Sequence, residues 1–211
     1  MLKLALRDAR KILFLGAHSD DIEIGCGGTI LSLSKTNPSL DILWVVFSAK
    51  GKRRQEARSS AQLFVKSAKR SKIVIKSFRE SYFPNEYVRV KEFVETLKSF
   101  APDAIFTHSR DDRHQDHRVL SDLTWNTFRN HLIFEYEIPK YDGDLGQPNV
   151  FVPFEPEMAR AKARTLCEIF QSQGNRHWFS TETFLGLMRL RGVECASQFA
   201  EAFHCRKMVC S

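Results

Sequence analysis

The sequence predicts an α/β protein with a Rossmann-like, doubly wound and mostly parallel sheet that helices cover on both faces. Short, almost continuous apolar runs recur along the chain, as in parallel strands that are buried on both faces. These runs alternate with segments of helical spacing, which indicates right-handed βαβ units. Pro38 and Pro102 lie where a helix has to end before the next strand begins.

The elements follow from this alternation. The first four strands are expected at residues 11–16, 42–47, 73–75 and 104–107. The helices between and after them are expected at residues 28–35, 55–69, 87–100 and 116–129. Strand-like pieces at 133–137 and 149–152 then flank a loop rich in Pro and Gly, and helices at 156–171 and 182–191 follow. No repeat or linker interrupts the pattern, so one domain over residues 1–211 is predicted.

The composition is that of a soluble globular protein, with 43% hydrophobic and 27% charged residues. We expect a cytoplasmic location and no integral membrane segment, because neither a signal peptide nor an apolar run of about 18 residues is present. The five cysteines are odd in number and lack CxxC spacing, which indicates reduced thiols rather than a disulfide framework.

The formal net charge of +7 is compatible with a nucleic acid partner, with an anionic small substrate, or with solubility alone. Basic residues cluster at 50–58 and 66–76. The second cluster has no interleaved aromatic side chains and is expected on a solvated helix end and loop. We therefore expect no nucleic acid partner.

A polar cluster follows the first predicted strand in the stretch LFLGAHSDDIEIGCGGTI, residues 13–30. His18, Asp20, Asp21 and Glu23 come directly after the apolar run. Ligands of doubly wound sheets bind outside the carboxyl ends of the strands, which is where this cluster lies. His18 and Asp21 are three residues apart on a tight turn and can converge on one point.

A second polar cluster, THSRDDRHQDHRVL, follows the fourth predicted strand and contains His114, Asp116 and His117. Two imidazole nitrogens and one carboxylate oxygen, with a position left for water, are typical of a catalytic zinc or a similar divalent ion. Each short pattern also occurs by chance. The two clusters together, each after a predicted strand, favour a metal site.

The stretches AHSDDIEIGCGGTI and DRHQDHRVL resemble the two motifs of the LmbE-like/PIG-L family of zinc-dependent N-acetyl sugar deacetylases, AHPDD and HxDH. RRQEARSSAQLF and FQSQ extend the resemblance more weakly over nearly the whole chain. Ser19 stands where the family usually has proline, which would preset the backbone there. This departure removes no ligand.

The resemblance implies a metal bound by His18, Asp21 and His117, and this ligand set suits zinc or ferrous iron. It implies Asp20 as the general base that takes a proton from water. His114, as an imidazolium, would stabilise the oxyanion or protonate the leaving amine.

Other residues receive supporting roles. Asp116 is expected to orient an imidazole, and Glu23 either supports the ligands or braces the helix start. Arg53 is spaced RxxE with Glu56, as in the family helix that places an arginine near the substrate, although an arginine in a basic run is often only solvated. The run Gly25–Gly28 does not match GxGxxG and is not expected to bind a dinucleotide.

The resemblance implies a hydrolase that removes the acetyl group from an N-acetylated amino sugar, and it is compatible with a homo-oligomer. The positive charge is compatible with an anionic nucleotide-, lipid- or small-molecule-linked sugar. The residues themselves support only metal-assisted hydrolysis. An amidase acting on a non-sugar acyl-amine or glycopeptide conjugate, and a catalytically impaired sugar-binding member, remain alternatives. No fixed role follows from the pattern for His108 or Asp112.

Overall fold

The computed structural model describes Leu6 and residues 9–209. The strands are β1 Lys11–Gly16, β2 Asp41–Val46, β3 Arg70–Ile75, β4 Ala104–His108, β5 Leu132–Tyr136, β6 Val150–Phe154 and β7 Phe199–His204. The helices are α1 Asp21–Thr36, α2 Gly51–Phe64, α3 Tyr87–Thr96, α4 Gln115–Thr127, α5 Pro156–Ile169 and α6 Thr181–Glu194.

The strands form one seven-stranded sheet in the order β3-β2-β1-β4-β5-β7-β6. The first five strands are parallel, and β7 is antiparallel to both β5 and β6. The mostly parallel α/β fold predicted from the sequence is thus confirmed. The strand order reverses between β1 and β4, which is the point where doubly wound sheets bind their ligands.

Consecutive side chains of β1 point to opposite sides of the sheet. Since these side chains are apolar on both sides, helices cover both faces. Ile12 and Phe14 belong to a core shared with α1, α2, α5 and α6. Leu13 and Leu15 belong to a second core shared with α3 and α4. Both cores are closely packed and hold β1 at the centre of the molecule.

Three element predictions were wrong. Strand β7 was not predicted. The basic segment 66–76 was expected on a helix end and loop, but its residues 70–75 form the edge strand β3. Helix α1 begins at Asp21 instead of residue 28, with a break at Cys26, whose φ and ψ of −144° and 18° are not helical. Asp21 and Glu23 therefore lie on a helical turn and not in a loop.

A buried ion pair from the C-terminal half of the chain, Lys162 with Glu201, provides hydrogen-bond partners for the backbone on both sides of the break in α1. The backbone N–H groups of Gly28 and Thr29 each donate to the Glu201 carboxylate at 2.7 Å. Lys162 Nζ donates to Glu201 Oε1 and to the carbonyl oxygen of Ile24, both at 2.6 Å. The freed backbone groups on both sides of the break thus have partners, and the amides after the break do not face the polar clusters.

Two glycines allow α1 to approach the sheet closely. A Cβ atom on Gly25 would lie 2.3 Å from the ring of Tyr136, and one on Gly28 would lie 2.6 Å from the ring of Phe154. Because real Cβ atoms are never found this close to another side chain, a larger residue would push α1 off the sheet.

The thiols and helices agree with two further expectations. Cys26, Cys167, Cys195 and Cys205 are free thiols, and Cys210 lies outside the described residues. Among the helices of the described chain, none combines the length and the apolar character needed to cross a membrane.

We expect Glu201→Ala to lower the free energy of unfolding by about 3–5 kcal/mol, because it leaves Lys162 buried without a counter-charge. Urea denaturation followed by circular dichroism measures this loss. On the same helix as Lys162, Glu157 pairs with Arg160 at the surface, and Glu157→Ala should cost less than about 1 kcal/mol. Equal losses in the two variants would contradict the role of the buried pair.

Candidate active site

The two polar clusters lie side by side because β1 and β4 are paired neighbours in the sheet. His18, Asp20 and Asp21 follow β1, and His114 and His117 follow β4. All five line one cleft. The structure therefore brings together the predicted ligand and catalytic residues.

Three donor atoms form a compact triangle on one side of this cleft. His18 Nδ1 lies 3.1 Å from His117 Nε2, and each of these nitrogens lies 3.5 Å from Asp21 Oδ2. In a tetrahedral zinc site with bonds near 2.0–2.1 Å, neighbouring ligand atoms are about 3.3–3.4 Å apart. The three side chains fit one shared ion and leave a fourth position open.

In each histidine of the triangle, a carboxylate contacts the ring nitrogen that does not belong to the triangle. Asp116 Oδ2 lies 3.0 Å from His18 Nε2, and Asp112 Oδ2 lies 2.8 Å from His117 Nδ1. Such contacts fix the ring orientation and direct the other nitrogen toward a metal. Asp116 thus has the predicted orienting position, with His18 as its partner, whereas no role for Asp112 follows from the sequence.

Asp116 is itself fixed by the backbone of the segment before α3. It accepts hydrogen bonds from the N–H groups of Ser81 at 2.6 Å and Phe83 at 3.0 Å. Ser81 has a φ of 65°, a left-handed conformation that side chains other than glycine rarely adopt. The hydrogen bond to Asp116 therefore helps to hold a strained turn against the cleft.

His108 is a further member of the cluster. Its Nε2 accepts the N–H of Ala17 at 3.0 Å and lies 3.2 Å from Asp21 Oδ2. Its ring stacks on His117 with a centroid distance of 3.8 Å. Because its Nε2 lone pair is occupied by the backbone N–H of Ala17, His108 does not offer this nitrogen as a ligand atom, and its ring packs against that of His117. Its position at the end of a strand was the only sequence signal for this contact.

The described residues contain two further groupings of donors that lie within 4.8 Å of one another. One consists of His18, His114 and His117, and the other consists of Asp21, His108 and His117. The first grouping leaves the carboxylate of Asp21 out, although this carboxylate contacts both His18 and His117. In the triangle of His18, Asp21 and His117, each histidine offers the nitrogen that faces away from its orienting carboxylate. Asp21 Oδ2 also accepts the backbone N–H of His18 at 2.6 Å.

Burial and their mutual charges shift the pKa values of the side chains in the site. Burial opposes ionisation of His18, but Asp21 and Asp116 outweigh it and raise its pKa to about 10. Burial and the neighbouring His108 lower the pKa of His117 to about 3. Although burial raises the pKa of Asp21, the three imidazoles keep it well below its usual value. A divalent cation would supply the positive charge that the carboxylates need here.

Asp20 has the properties of a base that works near neutral pH. Burial and the charge of Asp21 raise its pKa to about 6, and Arg53 opposes this rise. A general base is most effective when its pKa lies near the working pH. The carboxylate lines the cleft beside the triangle and makes no hydrogen bond to the two ligand histidines.

His114 lies directly before α4 and lines the same cleft. Its Nδ1 accepts the N–H of Asp116 at 3.2 Å, so its proton is on Nε2. Burial and the charge of His18 lower its pKa. This geometry favours a neutral imidazole that donates a hydrogen bond, which differs from the imidazolium expected from the sequence.

Arg53 lines the cleft and is held in place by two partners. Its Nε donates to Ser19 Oγ at 3.2 Å, and its Nη1 donates to Glu80 at 2.5 Å. Ser19 thus gives Arg53 a contact that the proline usual at this position lacks. Glu56 does not pair with Arg53 but accepts from the N–H and hydroxyl of Ser172 at 3.0 and 2.5 Å.

Glu23 is completely buried on the first turn of α1. Its carboxyl oxygens make no hydrogen bond within the part of the chain that the structure describes. Burial raises its pKa well above the usual value. No hydrogen bond joins Glu23 to the ligand triangle, so its geometry does not favour a supporting contact to the ligands.

Residues 13–128, which contain both polar clusters, match the family model described as PIG-L: GlcNAc-PI de-N-acetylase. The chain belongs to the PIG-L family. The family suggested by AHSDD and DRHQDH is thereby confirmed.

Solved structures with the same fold include several deacetylases. N,N'-diacetylchitobiose deacetylase from Pyrococcus horikoshii is 21% identical, with a TM-score of 0.75 over 93% of this PIG-L chain and 84% of its own. The zinc-inhibited form of teicoplanin deacetylase is 14% identical, with a TM-score of 0.69 over 92% and 96% of the two chains.

Another structure of this fold has a different reaction. The 4-carboxy-2-hydroxymuconate hydratase from Pseudomonas putida is 15% identical, with a TM-score of 0.72 over 96% of this chain and 98% of its own. At these identities the likeness establishes the fold, and the reaction has to be argued from the site.

We expect Asp112→Asn to weaken zinc binding by this PIG-L member about 10- to 100-fold, because a neutral amide holds the His117 ring less firmly than a carboxylate. Competition with a fluorescent zinc indicator measures the affinity. Asp122→Asn is the matched control, since Asp122 is exposed on α4, the helix that carries His117. Equal zinc affinity in the two variants would show that Asp112 does not orient the ligand.

Proposed function

We propose that this protein is a metal-dependent N-deacetylase that hydrolyses the acetamide of an N-acetylated amino sugar. The principal support is the triangle of His18, Asp21 and His117 with the buried carboxylate of Asp20 beside it in one cleft. Membership of a family whose model is described as a de-N-acetylase supports the choice of the bond and of the substrate class.

His18 Nδ1, Asp21 Oδ2 and His117 Nε2 would hold the metal. Two imidazoles and one carboxylate suit zinc and also ferrous iron. When bound, such an ion polarises a carbonyl group and lowers the pKa of water to about 7. The orienting contacts from Asp112 and Asp116 keep the two nitrogens directed at that position.

Asp20 would take the proton from the attacking water as its oxygen bonds to the acetamide carbon. Burial and the charge of Asp21 raise the pKa of Asp20, which favours a carboxylate that takes up this proton and then returns it. The carbon–nitrogen bond then breaks, and the proton passes from Asp20 to the leaving nitrogen. Acetate and a free amino sugar are the products.

His114 would stabilise the charge that develops on the carbonyl oxygen. Since its Nδ1 accepts the N–H of Asp116, its Nε2 proton is available to the oxygen as a hydrogen bond. A fixed donor of this kind stabilises the transition state more than the ground state. Arg53, held by Ser19 and Glu80 at the cleft, would contact the sugar.

The same residues would also cleave the amide of a non-sugar acyl-amine or of a glycopeptide conjugate, because they act only on the acyl group. A catalytically impaired sugar-binding protein is the other alternative. The presence of Asp20, His114 and the complete ligand triangle favours an active enzyme over that alternative.

The test measures metal content and amine release from the methyl glycoside of N-acetylglucosamine. We expect about one metal ion per chain and measurable release. Asp20→Asn should retain the metal but lose about 10²- to 10⁴-fold in kcat, because the general base is gone. Asp122→Asn on α4 should behave as the wild type.

A different result would contradict each part of the proposal: the metal ligands, the substrate class and the general base. Absence of metal from protein purified without chelator would refute the ligand triangle. Metal without cleavage of any N-acetyl sugar, but with cleavage of N-acetyl amino acids, would favour the non-sugar amidase. Full activity of Asp20→Asn would refute the assignment of the base.

A further inference from the structure

Residues 137–146, which follow β5, form a loop that a single arginine from α6 fixes at both ends. Arg191 is buried, and its guanidinium donates to the two carboxylate oxygens of Glu137 at 2.8 and 3.0 Å. It also donates to the carbonyl oxygen of Gly146 at 3.0 Å, and Glu137 accepts the N–H of Gly146 at 2.9 Å. The two ends of this 137–146 loop are therefore joined to each other and to α6.

Inside the 137–146 loop, Lys140 carries a buried positive charge, since only 8% of its side chain is exposed. Its Nζ lies 2.5 Å from Asp144 Oδ2 and 3.1 Å from Asp112 Oδ2, whereas Asp142 is more distant at 3.9 Å. Asp144 Oδ2 also accepts the backbone N–H of Arg113 at 2.7 Å. The loop is thus attached at two points to the segment that follows β4.

The contact of Lys140 with Asp112 leads directly to the ligand triangle. The oxygen that Lys140 contacts, Asp112 Oδ2, is the same atom that lies 2.8 Å from His117 Nδ1. The other oxygen, Asp112 Oδ1, accepts the backbone N–H of His114 at 2.8 Å. Because both oxygens are engaged, the carboxylate has a fixed position, and it can direct the His117 ring.

The contact with Asp112 is not needed to neutralise Lys140. Asp144, which lies four residues further along the same loop, already supplies a counter-charge. An ion pair formed only within the loop would leave the segment after β4 free to move. Since an ammonium group has three donors and no acceptor, Lys140 can contact both carboxylates at once and join the loop to this segment.

We propose that Lys140 is a positioning residue for the metal centre, acting through Asp112 on His117. Without this cation the Asp112 carboxylate can turn away from Nδ1 of His117, and the Nε2 atom then loses its fixed direction. The proposal rests on the proposed function, because it takes His117 as a metal ligand. It gives a role in the metal centre to a loop outside residues 13–128, which match the family model.

We expect Lys140→Met to weaken zinc binding about 10-fold, at the lower end of the effect of residues that contact a metal ligand from outside. Competition with a fluorescent zinc indicator measures the affinity. If Lys140 acted only through its charge, the effect would have the opposite sign, because removing a positive charge near a cation strengthens the binding of that cation. The sign of the change therefore separates positioning from charge.

A double-mutant cycle separates positioning from a general role in the stability of the loop. In a chain that already carries Asp112→Asn, Lys140→Met should cause no further loss of zinc affinity, because the contact through which it acts is gone. Lys98→Met is the matched control. Lys98 is exposed and pairs with Glu95 at the surface, so this variant should bind zinc as the wild type does.

Three results would overturn the role of Lys140. These are unchanged or tighter zinc binding in Lys140→Met, an equal loss with and without Asp112→Asn, and an equal loss in Lys98→Met. If circular dichroism shows that Lys140→Met is unfolded, Lys140→Gln takes its place in the cycle, with a smaller loss of the same sign expected because the amide retains a donor.

The same measurements distinguish this proposal from the proposed function. If the wild type binds zinc but cleaves no acetamide, the deacetylase assignment fails, and the zinc affinities still decide the role of Lys140. If the wild type binds no zinc, the ligand triangle is wrong and the role of Lys140 is refuted with it.

Discussion

The parallel pairing of β1 with β4 is the constraint on which the candidate site depends. It aligns Leu13 with Ile105 and Phe14 with Phe106, so the loops after both strands leave the sheet together. His18 and His117 are 99 residues apart in sequence, yet their nitrogens lie 3.1 Å from each other. The two orienting carboxylates follow β4 as well, so the same pairing supplies both the donor atoms and the groups that hold them.

The site concentrates buried charge that would be unfavourable elsewhere in the protein. Four carboxylates, Asp20, Asp21, Asp112 and Asp116, are almost fully buried around the histidines. An unpaired buried charge costs several kcal/mol, so each carboxylate has to find a partner. Imidazoles, backbone N–H groups and Lys140 provide partners for Asp21, Asp112 and Asp116, and Arg53 lies 3.9 Å from Asp20. The arrangement is stable only as a unit, which explains why its members come from two neighbouring loops and the turn that they hold.

The sequence was sufficient for the central sheet and for the principal side chains of the site. Strands β1, β2, β4 and β5 are apolar runs that need no tertiary information, and the polar clusters directly follow β1 and β4. Only the last three residues of β3 are apolar. Strand β7 escaped prediction because Glu201 interrupts its apolar residues, and only the structure reveals that Lys162 neutralises this charge. The roles of Asp112 and His108 depend on contacts with His117, and no local pattern marks contacts of that kind.

The hydrogen bonds between α1 and Glu201 also determine when the two ends of the chain can come into contact during synthesis. Glu201 follows Gly28 by 173 residues, so the two helix amides that it binds are synthesised long before their acceptor. A nascent chain that has left the ribosome through α4 already contains every residue of the donor triangle. It still lacks Glu201, whose carboxylate accepts the N–H groups of Gly28 and Thr29 after the break in α1. These hydrogen bonds between the two ends of the chain can therefore form only after β7 has been synthesised.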